Sequence, residues 1–69
     1  MKRPIPGRRR ELLAALEDTC RSLSAARSGF DGAWDDDLLE YYLYEINALQ
    51  ARHTYLLRQV KALEKEALL

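Results

Sequence analysis

The chain of 69 residues lacks most of the groups that reinforce small proteins. It has one cysteine, Cys20, so no disulfide can form within the chain, and one histidine, His53, with no metal-binding spacing around either. Its longest apolar run, from Leu12 to Leu16, is too short to span a membrane or to form the core of a signal peptide. We therefore expect a cytoplasmic protein with no metal, no cofactor and no membrane contact.

The small size of the chain makes a partner important for stability. A chain of this length forms one domain, and its core supplies only about 3–5 kcal/mol without a disulfide, a metal or a second chain. Charged residues make up 32% of the sequence and sum to zero, which is typical of a folded helical protein rather than a disordered one. Self-association or binding to another protein is the remaining source of stability.

Glycine and proline are scarce, and their positions divide the chain. Pro4, Pro6 and Gly7 fall close together, so residues 1–7 are predicted to form a flexible basic arm. Residues 8–69 follow as a single domain.

Two helices are predicted within this domain, because good helix formers dominate and breakers occur in one place only. The first helix is expected over about residues 8–28, ending where Gly29 suits a helix C-terminus. A loop over residues 29–35 leads to a second helix over about residues 36–67. With one short connection, the predicted fold is all-α: an antiparallel two-helix hairpin that resembles a coiled coil.

Two aspartates compete to cap the second helix. Asp35 is favoured because Trp34 and Leu39 flank it with the spacing of a hydrophobic staple. Asp37 is the alternative, because Glu40 completes a capping box with it.

Both helices carry unbroken heptad patterns, with apolar residues at alternating spacings of three and four. In the first helix the pattern consists of Leu12, Leu16, Thr19, Leu23, Ala26 and Phe30. In the second helix the seam consists of Leu39, Tyr42, Ile46, Leu49, His53, Leu56, Val60 and Leu63. These residues are predicted to form the core and the dimer contact.

The second helix has more apolar surface than one partner helix can cover. Tyr41 and Tyr55 lie on one flank of the seam, and Leu43 and Leu57 lie on the other. We therefore expect two hairpins to pair into a four-helix bundle, a homodimer with the second helix of each chain at its centre.

Two aromatic residues are left without a packing role inside such a bundle. Tyr44 occupies an outward heptad position, and Trp34 lies in the loop. Exposed aromatic side chains are typical of protein-binding surfaces. We expect Trp34 and Tyr44 to contact an unidentified larger protein, which predicts a non-enzymatic adaptor or regulator.

The basic residues Arg8, Arg9 and Arg10 oppose the helix dipole, so local stability does not explain them. One interpretation is that they pair with an acidic surface such as Glu64 and Glu66. The alternative is contact with nucleic-acid phosphates, which predicts a nucleic-acid accessory protein.

His53 and Cys20 are the residues that most often carry chemistry, but neither has suitable neighbours in sequence. No catalytic residue is predicted. His53 is interpreted as a polar seam residue that sets the pairing and whose protonation would loosen a dimer. Cys20 is interpreted as a small, half-buried apolar residue beside the seam.

The segment from Leu43 to Lys61, LYEINALQARHTYLLRQVK, resembles the C-terminal segment of the YaaL-like family, short bacterial proteins classed as a domain of unknown function. The matching residues are Leu43, Tyr44, Glu45, Ile46, Arg52, Tyr55, Leu56 and Lys61. The resemblance covers about residues 9–63 and departs from the family pattern at His53 and Thr54. It implies a cytosolic bacterial protein without known enzymatic activity, and it supplies no catalytic residues.

Overall fold

Two helices joined by a short connection form the whole described structure. The computed structural model describes residues 7–68, and the side chains of residues 7–66. Helix α1 spans Arg8–Gly32 and helix α2 spans Asp36–Leu68. The helices run antiparallel, because the first turn of α1 lies beside the end of α2, and the molecule measures 53 × 16 × 14 Å. The predicted all-α hairpin is confirmed.

A glycine stands immediately before helix α1, at a position whose backbone conformation favours glycine. Gly7 precedes the helix with φ of 87°, a left-handed conformation that glycine adopts without a steric penalty. The Gly7 carbonyl accepts the backbone N–H of Glu11 at 2.9 Å, and no side chain caps the helix. The remainder of the predicted arm, residues 1–6, lies outside the described residues.

Helix α1 continues to Gly32, four residues beyond the predicted end, and the connection contains only residues 33–35. The expectation that Gly29 ends the helix is wrong, because Gly29 lies inside α1. The role of this glycine is to make room for a side chain of α2. A Cβ atom at Gly29 would overlap the ring of Tyr42 on α2. The glycine lets this tyrosine lie directly against the backbone of α1.

Asp35 is the cap of helix α2, which decides between the two predicted candidates. Its carboxylate oxygen Oδ2 accepts the backbone N–H of Leu38 at 3.1 Å, and its carbonyl accepts the N–H of Leu39 at 2.9 Å. The predicted staple does not form, because Trp34 is 88% exposed at the tip of the three-residue connection. Asp36 and Asp37 lie in the first turn, where the helix dipole favours negative charge.

The seam of α1 forms one side of the core. Leu12, Leu23, Ala26 and Thr19 are buried there, and Leu16 and Phe30 are half-buried. The hydroxyl of Thr19 donates to the carbonyl of Ala15 at 2.8 Å, so this buried polar group is satisfied within its own helix.

The seam of α2 faces α1 along its length. Leu56 and Val60 are buried and pack with Leu12, where Ala15, Leu16 and Leu63 surround them. The remaining seam residues are half-buried: Leu39, Tyr42, Ile46, Leu49, His53 and Leu63. Since a single helix covers this seam, most of its side chains keep a partly exposed edge.

Candidate interaction surface

The two residues most often used in chemistry lie in one shallow groove between the helices. His53 is half-buried, and Cys20, Arg27 and Asp31 line the same groove. Cys20 is exposed rather than half-buried, because a single partner helix covers only the seam of α1 and leaves the neighbouring positions open. A role for His53 in pairing stays a prediction.

The described part of the chain offers no metal centre. Among residues 7–66, no three histidine, cysteine, aspartate or glutamate side chains lie close enough together to hold a metal ion. The acidic residues of the first turn of α2 are accounted for by the Asp35 cap and the helix dipole.

The arginines at the start of α1 have different surroundings. Arg9 forms an ion pair with Glu64 of α2 at 3.1 Å, and both side chains are well exposed. Arg8 is half-buried and Arg10 is exposed. Of the two predicted roles, pairing with an acidic surface accounts for Arg9, and the pair joins the open ends of the two helices. An exposed pair of this kind contributes roughly 0–1 kcal/mol.

Helix α2 exposes much of its apolar surface. On the flanks of the seam, Tyr41, Tyr55 and Leu43 are exposed, and Leu57 is half-buried. Tyr44, which has no seam role, is 67% exposed. The structure therefore leaves most of the predicted flank contacts without a partner in the single chain.

Tyr41 is exposed but held in a defined position. Its hydroxyl donates to Oε2 of Glu45 at 3.2 Å, and its ring meets the ring of Tyr42 edge-on, with 5.0 Å between centroids. The Glu45 carboxylate raises the pKa of Tyr41, because the hydrogen bond and the negative charge both favour the protonated phenol. This contact fixes the tyrosine over one edge of the helix.

The exposed aromatic residues belong to a second heptad pattern on α2. Tyr41, Tyr44, Ala48, Ala51 and Tyr55 follow one another at spacings of 3, 4, 3 and 4, and all five are exposed. We call these five residues the outer stripe. It places Tyr44 in line with the flank tyrosines and brings in Ala51, which reasoning from a single seam did not single out. The same heptad spacing, started at Tyr41 instead of Leu39, identifies the stripe in the sequence.

Charge changes sign along α2, beside this stripe. The first half carries Asp36, Asp37, Glu40 and Glu45, and no basic residue. The second half carries Arg52, Arg58, Lys61 and Lys65, together with Glu64 and Glu66. Because Glu64 is paired with Arg9, the second half presents mainly positive charge.

The two residues predicted to contact a larger protein do not form one patch. Trp34 lies in the connection before α2, whereas Tyr44 lies eight residues into the helix, about 12 Å along its axis. Tyr44 belongs to the outer stripe, and Trp34 marks the tip of the hairpin.

Neither described helix has an apolar stretch of the length needed to cross a bilayer. Residues 8–65 match the family described as "Protein of unknown function (DUF2508)". Neither the comparison with curated proteins nor the comparison with solved structures gave a match.

Proposed function

The chain belongs to the DUF2508 family, whose function is not known, and we propose that it is a non-enzymatic interaction protein of the cytoplasm that pairs with a second copy of itself. The predicted resemblance to a family of unknown function is confirmed by this membership. The pair of chains would serve as an adaptor or regulator. Its working surface would be helical rather than a catalytic cavity.

The exposed outer face of α2 carries this proposal. Monomeric proteins rarely expose a large contiguous apolar patch unless it binds something. The three tyrosines of the outer stripe each expose more than half of their surface, which offers roughly 300–450 Å² per chain. That is about half of the ~800 Å² that each partner contributes to a stable interface. The side chains beside the stripe would supply the other half on each chain, and a second copy offers an identical surface to meet it.

The adaptor part of the proposal rests on Trp34. This side chain is 88% exposed and stands immediately before Asp35, Asp36 and Asp37. Tryptophan is enriched among the residues that dominate binding energy at protein interfaces. The partner that fits this tip is a protein with a basic surface around an apolar pocket, because the neighbouring carboxylates would repel an acidic one.

Sedimentation equilibrium tests self-pairing directly, with a matched pair of variants. Ala51→Glu places a charge in the outer stripe, and Ala25→Glu places the same charge at an exposed position of α1. We expect the wild type and Ala25→Glu to dimerise at micromolar concentration, and Ala51→Glu to dissociate at least tenfold more readily because burying an unpaired charge costs several kcal/mol.

Circular dichroism of both variants controls for loss of the hairpin itself. A wild-type chain that stays monomeric and fully helical at these concentrations contradicts the proposal. Equal dissociation of the two variants also contradicts it, because the outer stripe would then not be the contact.

Nucleic-acid binding through the basic N-terminal arm and the arginines at the start of α1 is the alternative function. Arg9 is already engaged by Glu64, whereas Arg10 is exposed and available. This alternative predicts binding to random DNA that weakens steeply with salt and is lost when Arg8, Arg9 and Arg10 are replaced by alanine.

A further inference from the structure

Four consecutive residues of the outer stripe, Tyr44, Ala48, Ala51 and Tyr55, read the same in both directions. Its centre consists of two alanines, Ala48 and Ala51, with Tyr44 on one side and Tyr55 on the other. The geometry points to an antiparallel pair of α2 helices from two copies of the chain, with a two-fold axis between Ala48 and Ala51. This inference rests on the proposed self-pairing and specifies its direction and register.

The residues of the stripe form matched layers in this arrangement. A two-fold contact is reciprocal, so each pairing occurs twice. Ala48 of one chain meets Ala51 of the second copy, and these small side chains let the helix backbones approach closely. Tyr44 meets Tyr55 of the second copy, and such aromatic pairs contribute beyond their buried area. One turn further out, the register pairs Tyr41 with Arg58 of the second copy, two residue types that attract one another through a cation–π interaction.

Charged residues on the two edges of the stripe become paired with opposite charges. Residues that flank a helical seam pair across it and determine partner choice and orientation. On one edge, Glu45 of each chain meets Arg52 of the second copy. On the other edge, Glu40 of each chain meets Lys61 of the second copy. The acidic first half of α2 therefore lies along the basic second half of its partner.

Charge repulsion disfavours the neighbouring registers. Sliding the antiparallel pair by one heptad in one direction places Glu45 against Glu45 of the second copy. Sliding it in the other direction places Arg52 against Arg52. A parallel pair stacks Arg58 on Arg58 and brings Glu40 beside Glu45 of the second copy. Like charges directly opposite one another are destabilising.

Four of the five charged groups that this register uses are available in the single chain, and the fifth, Glu45, is half-buried and accepts the Tyr41 hydroxyl at 3.2 Å. The ion pairs among the described residues connect Arg9 with Glu64, and Arg21 with Glu17 and Asp18. None of them engages Glu40, Arg52, Arg58 or Lys61. These four residues are also exposed, so no other part of the described chain covers them.

Charge reversal with complementation tests the register. Glu45→Arg alone and Arg52→Glu alone each create two like-charge contacts per dimer. We expect each variant to dissociate on the order of ten times more readily than the wild type at low ionic strength, where surface charges are least screened. Mixing the two variants in equal amounts restores pairing, because every reversed side chain then meets its opposite charge on the other chain.

Asp18→Arg is the matched control, because it reverses an exposed charge on α1 away from the stripe. It is expected to pair like the wild type. Recovery in the mixture also shows that both single variants are folded. Sedimentation equilibrium of each sample, and of the mixture, provides the readout.

The outcomes separate this inference from the proposed function. Weakening by both single variants, with recovery on mixing, supports the register. A wild-type dimer that either variant leaves intact overturns the register while self-pairing stands. Weakening by both variants without recovery on mixing overturns it as well. A wild-type chain that remains monomeric overturns both claims.

Discussion

At the scale of single residues, the contact between Gly29 and Tyr42 shows why the end of α1 escaped prediction. Glycine in a helix interior is less favourable than alanine by about 1 kcal/mol, so the sequence around it indicated a helix end. The structure keeps Gly29 helical because the ring of Tyr42 occupies the space that a Cβ would need. That reason is tertiary, and no local pattern reveals it.

Replacing Gly29 by alanine tests this contact. We expect Gly29→Ala to lower the free energy of unfolding by about 1–3 kcal/mol, because the added methyl overpacks the site. Gly32→Ala is the control, since a Cβ there meets nothing within 4 Å. We expect it to raise the free energy of unfolding by about 0.4–1 kcal/mol, because alanine lowers the conformational entropy of the unfolded chain. Chemical denaturation measures both at matched protein concentration. Equal stabilisation by the two substitutions would contradict the role given to Gly29.

At the scale of helices, the heptad pattern predicted which faces meet. Residues such as Leu12, Thr19 and Val60 are buried where the spacing placed them, because a helix repeats its faces regardless of distant contacts. The pattern did not predict how little one helix covers. Cys20 is therefore more exposed than expected, since burial depends on the partner element as well as on position.

The start of α2 offers a prediction at this scale. Asp35→Ala removes the side-chain acceptor for the N–H of Leu38, and we expect it to lower the free energy of unfolding by about 0.5–2 kcal/mol. Asp37→Ala is the matched control, which removes a carboxylate from the same turn without removing that hydrogen bond. It should lose only the dipole contribution of about 0.3–1 kcal/mol. A larger loss for Asp37→Ala than for Asp35→Ala would show that Asp37 is the cap.

At the scale of the whole molecule, the sequence predicted the hairpin and an excess of apolar surface on its second helix. The outer stripe could have been found from the same spacing rule, but counting a single seam left Tyr44 without a role. Tyr41, Tyr44 and Tyr55 lie along one line of α2, so the excess apolar residues of this helix form a single surface. The proposed antiparallel direction of the helix pair follows from charge. Glu45 and Arg52 lie on the same edge of α2, and they face one another across the pair only when one helix is reversed.

The outer stripe as the contact between two copies is the central claim, and an isotope-filtered NOE experiment tests it most directly. The sample is an equimolar mixture of labelled and unlabelled wild-type chains, so that only contacts between chains give filtered cross-peaks. We expect cross-peaks between the ring of Tyr44 and the ring of Tyr55. Intermolecular cross-peaks from Leu43 and Leu57 without any from these tyrosines, or the absence of all such peaks, would contradict the account.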